Sequence, residues 1–262
     1  YNVTRTNGTL TVTPAVLDVS VNNKTREYGV ANPVFDGTFT GIRNNDAITM
    51  TFSTTATIAS AVGTYPIVGQ VTGGAGQNYI LNSTTNGTLT ITQAPLTLSI
   101  GNATRQFPDP NPAFSHQLTG ARNGDTFDVS VFTAATNLSA VGSYPIDGTV
   151  GGTQAANYTL TKQTGTLTIT PRPLTVTTTN ASRIYGDPNP AFTGTSNVVG
   201  DGLVVSYSSP ANATSNVGTY PIEAQVSGSA LANYSPVTLT NGTLTVTAAP
   251  LNATANNASR IY

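Results

Sequence analysis

The stretch Gly165-Thr166-Leu167-Thr168-Ile169-Thr170 alternates an apolar or small residue with threonine over six positions. That period of two places one side of an extended chain in a core and the other in water, the pattern of a half-buried strand. Threonine suits the wet side because it is both β-branched and polar. The same phrase begins at Gly8, Gly87 and Gly242, so its copies lie 79, 78 and 77 residues apart. Four other phrases keep the same order. Val-Gly-Thr/Ser-Tyr-Pro-Ile occupies 62–67, 141–146 and 217–222, and Asn-Pro-x-Phe occupies 32–35, 111–114 and 189–192. Asn-Tyr stands at 78–79, 157–158 and 233–234. An arginine precedes an aromatic by two residues at Arg26/Tyr28, Arg105/Phe107, Arg183/Tyr185 and Arg260/Tyr262. A tandem array of ~78-residue repeats accounts for all five phrases. The expected repeats are 14–93, 94–171 and 172–249, with 1–13 matching the tail of a preceding repeat and 250–262 the head of a following one.

Within each repeat no segment has a 3.6-residue period, and the helix formers Glu, Lys and Met are scarce. Leu96-Thr-Leu-Ser-Ile100 and Leu174-Thr-Val176 alternate as the opening stretch does. Asn-Gly at 7–8, 86–87 and 241–242, just before the threonine phrase, predicts a tight hairpin turn. The second repeat has Thr164-Gly165 there instead. Pro108-Asp109-Pro110-Asn111-Pro112 predicts a loop. Six or seven short strands per repeat give an all-β fold class: small antiparallel β-sandwich domains of immunoglobulin-like type, in tandem along an extended rod. β-Grasp-like repeats are the alternative.

The phrases at 173–192, 217–222 and 233–247 resemble the MBG-type (YGX-type) repeats of very large secreted bacterial surface proteins. The Tyr-Gly-x element stands as Tyr28-Gly29-Val30 and Tyr185-Gly186-Asp187 and becomes Phe107-Pro108-Asp109 in the second repeat. The resemblance implies an extracellular or cell-surface, adhesin-like or matrix role without catalysis, and no particular ligand.

Composition narrows the chemistry. Ten Lys+Arg against 11 Asp+Glu, at 8% charged residues, exclude a basic nucleic-acid footprint and an acidic tail. The absence of Cys excludes disulfides, thiolate metal sites and cysteine nucleophiles. No apolar run approaches the ~18 residues of a membrane helix. Thr, Asn and Ser make up 92 of the 262 residues. His116 is the sole histidine, so neither a triad nor a zinc site has its partners, and no catalytic, cofactor or metal residues are predicted. Asp46, Asp125 and Asp201 recur before the middle strands, and Asp109 and Asp187 recur in the Pro-rich loop. Such oxygens serve either calcium or turns. Gly73-Gly74 and Gly151-Gly152 lack the strand-then-helix setting of a phosphate loop and read as turns. Lys24 and Lys162 are the only lysines and do not correspond between repeats, which excludes a lysine isopeptide link in every repeat.

Several repeated positions remain as structural or binding candidates. The Arg/aromatic pairs lie on one strand face, either as a platform for a sugar ligand or packed at the sandwich edge or domain junction. Tyr65, Tyr144 and Tyr220 read as tyrosine corners, with the hydroxyl tied to nearby backbone. Asn-x-Ser/Thr sequons include 14 of the 25 asparagines, more than double the number that the Ser and Thr content predicts. Among them, Asn23, Asn102, Asn180 and Asn257 are candidate glycosylation sites unless the pattern is turn chemistry alone. Pro14, Pro95, Pro173 and Pro250 mark the junctions, inside the constant five-residue steps from Val12 to Leu17, Ile91 to Leu96, Ile169 to Leu174 and Val246 to Leu251. An odd step reverses side-chain parity, so each link is a fixed bend. The functional expectation is a non-enzymatic structural segment of a long extracellular or cell-surface fibre or stalk. Its partners are neighbouring repeats and other copies of the fibre, with no nucleic acid and no membrane span. The alternative is a multivalent adhesive module that binds glycan or protein through each repeat.

Overall fold

The computed structural model describes residues 1–73, 76–198, 200 and 202–262. Asp201 and Gly74, singled out above, lie outside the described residues. In the first repeat the strands are β1 (Ala15–Val21), β2 (Lys24–Glu27), β3 (Gly37–Thr40), β4 (Thr49–Ser53), β5 (Gly63–Thr72), β6 (Tyr79–Thr85) and β7 (Gly87–Thr92). The second has β8 (Ala94–Ile100), β9 (Ala103–Gln106), β10 (His116–Thr119), β11 (Asp128–Thr133), β12 (Gly142–Gly151), β13 (Tyr158–Gln163) and β14 (Gly165–Thr170). The third has β15 (Arg172–Thr178), β16 (Ala181–Ile184), β17 (Gly194–Ser196), β18 (Val204–Ser208), β19 (Gly218–Ser227), β20 (Tyr234–Thr240) and β21 (Gly242–Thr247). Among the described residues the only helical turns are short 3-10 segments. The all-β class in tandem is therefore what the chain adopts.

The strands form two compact units. One comprises Tyr1–Ile100, Ser115–Phe132 and Asp147–Thr164, and so holds the first repeat with β8, β10 and β13 of the second. Its sheets run β3-β1-β6, β2-β7-β5-β4 and β10-β8-β13. The inward residues of β1, β5 and β7 (Leu17, Val19, Val21, Ile67, Leu89 and Ile91) share one core, which continues into Ala94, Leu96 and Tyr158 of the next repeat. Each fully buried large aliphatic side chain here contributes about 1.5–3 kcal/mol. The other unit comprises Gly101–Phe114, Thr133–Ile146 and Gly165–Tyr262. Its third-repeat sheets run β17-β15-β20 and β16-β21-β19-β18, with Ala211, Ile222, Leu244 and Val246 in the core.

The sheets are mixed rather than purely antiparallel. β1 lies parallel to β6 and β2 parallel to β7, while β1–β3, β4–β5 and β5–β7 are antiparallel. After a shift at Leu17/Asp18, the register stays constant across both parallel pairs: Asp18 faces Ser83, Ser20 faces Thr85, Lys24 faces Leu89 and Glu27 faces Thr92. Residues 18–27 and 83–92 thus run side by side as two long strands. Both leave one sheet for the other at the same level, near Asn22-Asn23 and Asn86. In the second repeat Ala94 faces Tyr158 and Ala103 faces Leu167, again at one offset. The third repeat keeps one offset from Leu174/Val237 to Ile184/Thr247.

This geometry overturns the hairpin expected at Asn86-Gly87 and Asn241-Gly242. The strands on either side belong to different sheets and do not pair with each other. Neither Gly87 nor Gly242 has the positive φ that a type I′ turn requires. Glycine is there because a second backbone passes close by. A Cβ on Gly87 would lie 2.6 Å from the Asn22 carbonyl oxygen, and one on Gly242 would lie 2.8 Å from that of Thr179. Gly87→Ala is therefore expected to destabilise its repeat by about 1–3 kcal/mol, read as a lowered midpoint in guanidinium unfolding. An unchanged midpoint would contradict the close crossing.

Asn23, Asn102 and Asn180 sit at these same crossings, exposed. The Oδ1 atoms accept the backbone N–H of Thr88, Thr166 and Thr243, each at 2.8 Å. Asn257 lies outside the strands and is exposed.

Candidate functional site

Two constellations repeat along the chain, one inside each repeat and one where consecutive repeats meet. The inner one begins with the arginine. Arg26, Arg105 and Arg183 are only 6%, 6% and 7% exposed, and no carboxylate among the described residues forms an ion pair with them. Arg26 Nε donates to Asn32 Oδ1 at 2.7 Å, and its terminal nitrogens donate to the Glu27 and Thr57 carbonyls at 3.0 and 2.5 Å. Asn32 Nδ2 donates in turn to the Ala56 carbonyl at 2.8 Å. Arg105 does the same with Asn111, Gln106 and Thr136, and Asn111 reaches Ala135. Arg183 does so with Asn189, Ile184 and Asn212, and Asn189 reaches Ala211. Burial pushes the Arg26 guanidinium below its usual range. An arginine nevertheless keeps its charge, so neutral oxygens alone solvate this cation. The clamp ties the end of the second strand to the Asn-Pro-x-Phe loop and to the loop before the fifth strand.

Tyr65, Tyr144 and Tyr220 donate from their hydroxyls to the carbonyls of Ala61, Ala140 and Asn216, at 3.0, 2.9 and 2.9 Å. Each ties the start of its strand to the loop that the clamp holds.

The aromatic two residues after each arginine takes different partners. Within the first unit Tyr28 is 1% exposed, its ring edge-on to Tyr158 at 5.4 Å between centroids. Phe127 meets Tyr158 edge-on at 5.2 Å. The Tyr28 and Tyr158 hydroxyls both donate to Asp125 Oδ2, at 3.0 and 2.7 Å. Arg122 N–H donates to the Tyr158 hydroxyl at 2.9 Å. Burial, reinforced by the Asp125 hydrogen bond, leaves the Tyr158 phenol pushed up to about 12. Around this centre the Arg122 guanidinium pairs with Glu27 at 2.7 Å. Val62 N–H donates to Asn157 Oδ1 at 3.0 Å, and Gln93 Nε2 to the Ala156 carbonyl at 3.0 Å. Gly29, at φ +73°, is needed twice over: a Cβ there would strike the Arg122 side chain at 2.6 Å.

The second unit contains the next junction. Phe107, 4% exposed, meets Tyr234 edge-on at 5.8 Å, and Val141 N–H donates to Asn233 Oδ1 at 2.9 Å. Only Gln93 separates β7 from β8, and only Pro171 separates β14 from β15. Pro95 and Pro173 are the second residues of β8 and β15, while Pro14 and Pro250 lie outside the strands. Inward parity reverses across both links, from Leu89 and Ile91 to Ala94 and Leu96, and from Leu167 and Ile169 to Leu174 and Val176.

The first repeat has the receiving half of such a junction. Tyr79 donates to Asp46 Oδ2 at 2.8 Å and accepts from Arg43 N–H at 2.8 Å. The third repeat has the inserting half, with Tyr185 45% exposed.

The structure separates the other candidates. His116 is exposed on β10. Lys24 pairs with Asp36 at 2.7 Å and Lys162 with Asp147 at 2.8 Å, and each lysine holds its carboxyl below the usual range. Among the described residues no three His, Cys, Asp or Glu side chains cluster to hold a metal, and no helix is long and apolar enough to cross a membrane. Sequence reasoning missed the Asp–Tyr pair, although the aspartate lies 33 residues before the tyrosine at 46/79, 125/158 and 201/234. It also missed the Arg–Asn pair, whose members are six apart in every repeat.

Among the solved structures similar to the chain are three multi-domain segments. The I9–I11 tandem of titin matches at 12% identity and a TM-score of 0.22, over 89% of this chain and 100% of that one. N-cadherin EC1–4 of Drosophila matches at 10% and 0.25, over 87% and 74%. Immunoglobulin domains 1–4 of Sidekick-1 match at 10% and 0.19, over 87% and 72%. No curated protein matches. The family model for the MBG domain (YGX type) matches three times, at residues 17–90, 96–168 and 174–245. The chain therefore belongs to the YGX-type MBG domain family.

Proposed function

We propose that this chain is a non-enzymatic structural segment of an extracellular or cell-surface fibre or stalk, built from repeats that stack through one recurring junction. The observation that carries the reading is the aromatic of one repeat buried against the Asn-Tyr tyrosine of the next, seen as Tyr28 on Tyr158 and as Phe107 on Tyr234. Shared aromatic burial across a one-residue link costs little chain entropy, because the two surfaces are already held together. The Arg/aromatic pair favours this role over a sugar platform, since its arginines are buried and bonded within their own repeats. The repeats on this reading are 14–93, 94–171 and 172–249.

Imaging of single molecules by negative-stain electron microscopy tests the reading. The expected result is a thin particle with one recurring angle between consecutive repeats, loosened by Tyr158→Ala at the first junction alone. Beads with freely varying angles in the unaltered chain would defeat it. Glycan on Asn23, Asn102 or Asn180 belongs to the same proposal. Intact-mass measurement of native material is expected to exceed the 26.9 kDa of the bare chain for this segment.

A further inference from the structure

Within the three repeats Asn-Gly occurs at 86–87, 123–124 and 241–242, and the fold gives these pairs different freedom. Gly87 and Gly242 are buried at the sheet crossings and paired with Ile67 and Ile222 in their ladders. The Asn22 and Thr179 carbonyl oxygens lie 2.6 and 2.8 Å from where a Cβ would stand on them. Asn123 and Gly124 are instead exposed and belong to no strand. Their φ values of +55° and +76° make them the centre of a type I′ turn, closed by the Asp125 N–H donating to the Arg122 carbonyl at 2.9 Å. A Cβ on Gly124 would meet nothing within 4 Å. Among the described residues neither the Asn123 amide nor the Gly124 N–H makes a hydrogen bond. The two ends of the turn, by contrast, belong to the junction. Asp125 Oδ2 accepts the Tyr28 and Tyr158 hydroxyls, and the Arg122 N–H donates to the Tyr158 hydroxyl.

We infer that Asn123 converts without an enzyme to isoaspartate, and that the rate of conversion records how often the turn between Arg122 and Asp125 opens. Glycine after asparagine favours the step, because no side chain shields the attacking nitrogen. The Gly124 nitrogen gives its proton to hydroxide and attacks the Asn123 Cγ. A bond from that nitrogen to Cγ forms, the Cγ–Nδ2 bond breaks, and ammonia leaves. Water then opens the five-membered imide. Opening at the former main-chain carbonyl leaves the chain running through Cγ, which is isoaspartate, and opening at Cγ yields aspartate. Water is the only co-reactant. While the turn is closed its backbone is fixed and the nitrogen cannot swing onto Cγ, so reaction proceeds from the locally opened state. Opening pulls Asp125 away from the Arg122 carbonyl and loads its bonds to both tyrosines. The product cannot close as before. Isoaspartate adds a methylene to the main chain between Arg122 and Asp125 and sets a new carboxylate near that of Asp125. Each opening that reacts is kept, and the junction loosens in one direction only. The chemistry stands on the turn alone, while its effect on stacking rests on the role proposed above.

Peptide mapping by mass spectrometry, with isoaspartate-specific O-methylation, on the full chain held at mildly alkaline pH tests the inference. Asn123 is expected to convert at least about tenfold faster than Asn86 and Asn241, the ratio that a barrier difference of about 1.4 kcal/mol gives. Asn44, in the corresponding turn of the first repeat, is followed by Asn45, whose side chain shields the nitrogen, and is expected to lag behind Asn123. Tyr158→Phe removes the hydroxyl that bridges the two ends of the turn. It is expected to speed Asn123 at least about threefold, the effect of losing a modest hydrogen bond, and to leave Asn86 unchanged. Material converted at Asn123 is expected to unfold at a lower guanidinium concentration than Asn123→Asp, which has the charge without the added methylene. No conversion at Asn123, or equal rates at Asn86, Asn123 and Asn241, would overturn the inference. A Tyr158→Phe chain in which Asn123 keeps its rate, or in which Asn86 speeds equally, would break the tie to the turn. Identical unfolding midpoints would remove the loosening. None of these rates depends on the angle between joined repeats, so the stacking role stands or falls separately by imaging.

Discussion

Arg105→Ala is expected to destabilise the second repeat by about 3–5 kcal/mol. The guanidinium supplies donors to Asn111 Oδ1 and to the Gln106 and Thr136 carbonyls. Removing it strands those part-buried oxygens, at up to about 1–3 kcal/mol for each group left unsatisfied. Lysine is a poor substitute, because one ammonium cannot span the fork of acceptors. Asn111→Ala removes the Arg105 Nε acceptor and the relay to the Ala135 carbonyl but leaves the two backbone contacts of the guanidinium, and is expected to cost less, about 1–2 kcal/mol. Urea unfolding followed by near-ultraviolet circular dichroism provides the measurement. A loss below about 1 kcal/mol for Arg105→Ala would show that the clamp is dispensable.

The second large effect is at the first junction. Tyr158→Ala removes a ring, 4% exposed, that touches both Tyr28 and Phe127, and should cost about 3–5 kcal/mol. The same residue confers a pH dependence. Its phenol is pushed up to about 12 in the folded chain, against about 10 in an unfolded one. A raised folded value means that the stabilisation is complete below pH 10 and drains away as pH climbs toward 12. Two pH units correspond to about 2–3 kcal/mol at full titration, an order-of-magnitude figure. Tyr79 is shifted upward as well, so the diagnostic is a difference. The unaltered chain should lose stability between pH 10 and 12 more steeply than Tyr158→Phe. Parallel curves would mean that the ring alone, not the hydroxyl on Asp125, holds the junction.

Much of the architecture was legible in the order of residues. Tandem repetition, the strand class and the parity reversal at the links after Ile91 and Ile169 follow from phrases such as Gly-Thr-Leu-Thr-Ile-Thr, because period two and repeat spacing are local properties. Two features were not legible. Asn86-Gly87 carries a strong hairpin signal, yet a crossing between sheets asks for the same residues: a side-chain acceptor for a free N–H, then no Cβ where backbones pass. What separates the two is whether Thr85 pairs with Thr88 or with Ser20, and that is decided by a strand far away in sequence. The parallel pairing has the same long-range origin. The clamp and the Asp–Tyr pocket lie between these cases. The constant intervals from Arg26 to Asn32 and from Asp46 to Tyr79 were in plain view, but a constant interval becomes a contact only when the loops are known to converge.

The constant register of the long parallel pair has a mechanical consequence. The chain enters the first repeat at Ala15, opposite Tyr79, and leaves it past Thr92, opposite Glu27. Tension applied through the two links pulls residues 15–27 one way and residues 79–92 the other, along their common axis. The ladder between them is then loaded in shear. Its bonds bear the force together and must fail together, whereas a hairpin pulled from its open end unzips one bond at a time. Because Gln93 alone carries the chain from β7 into β8, the load passes from one sheared ladder to the next with almost no slack.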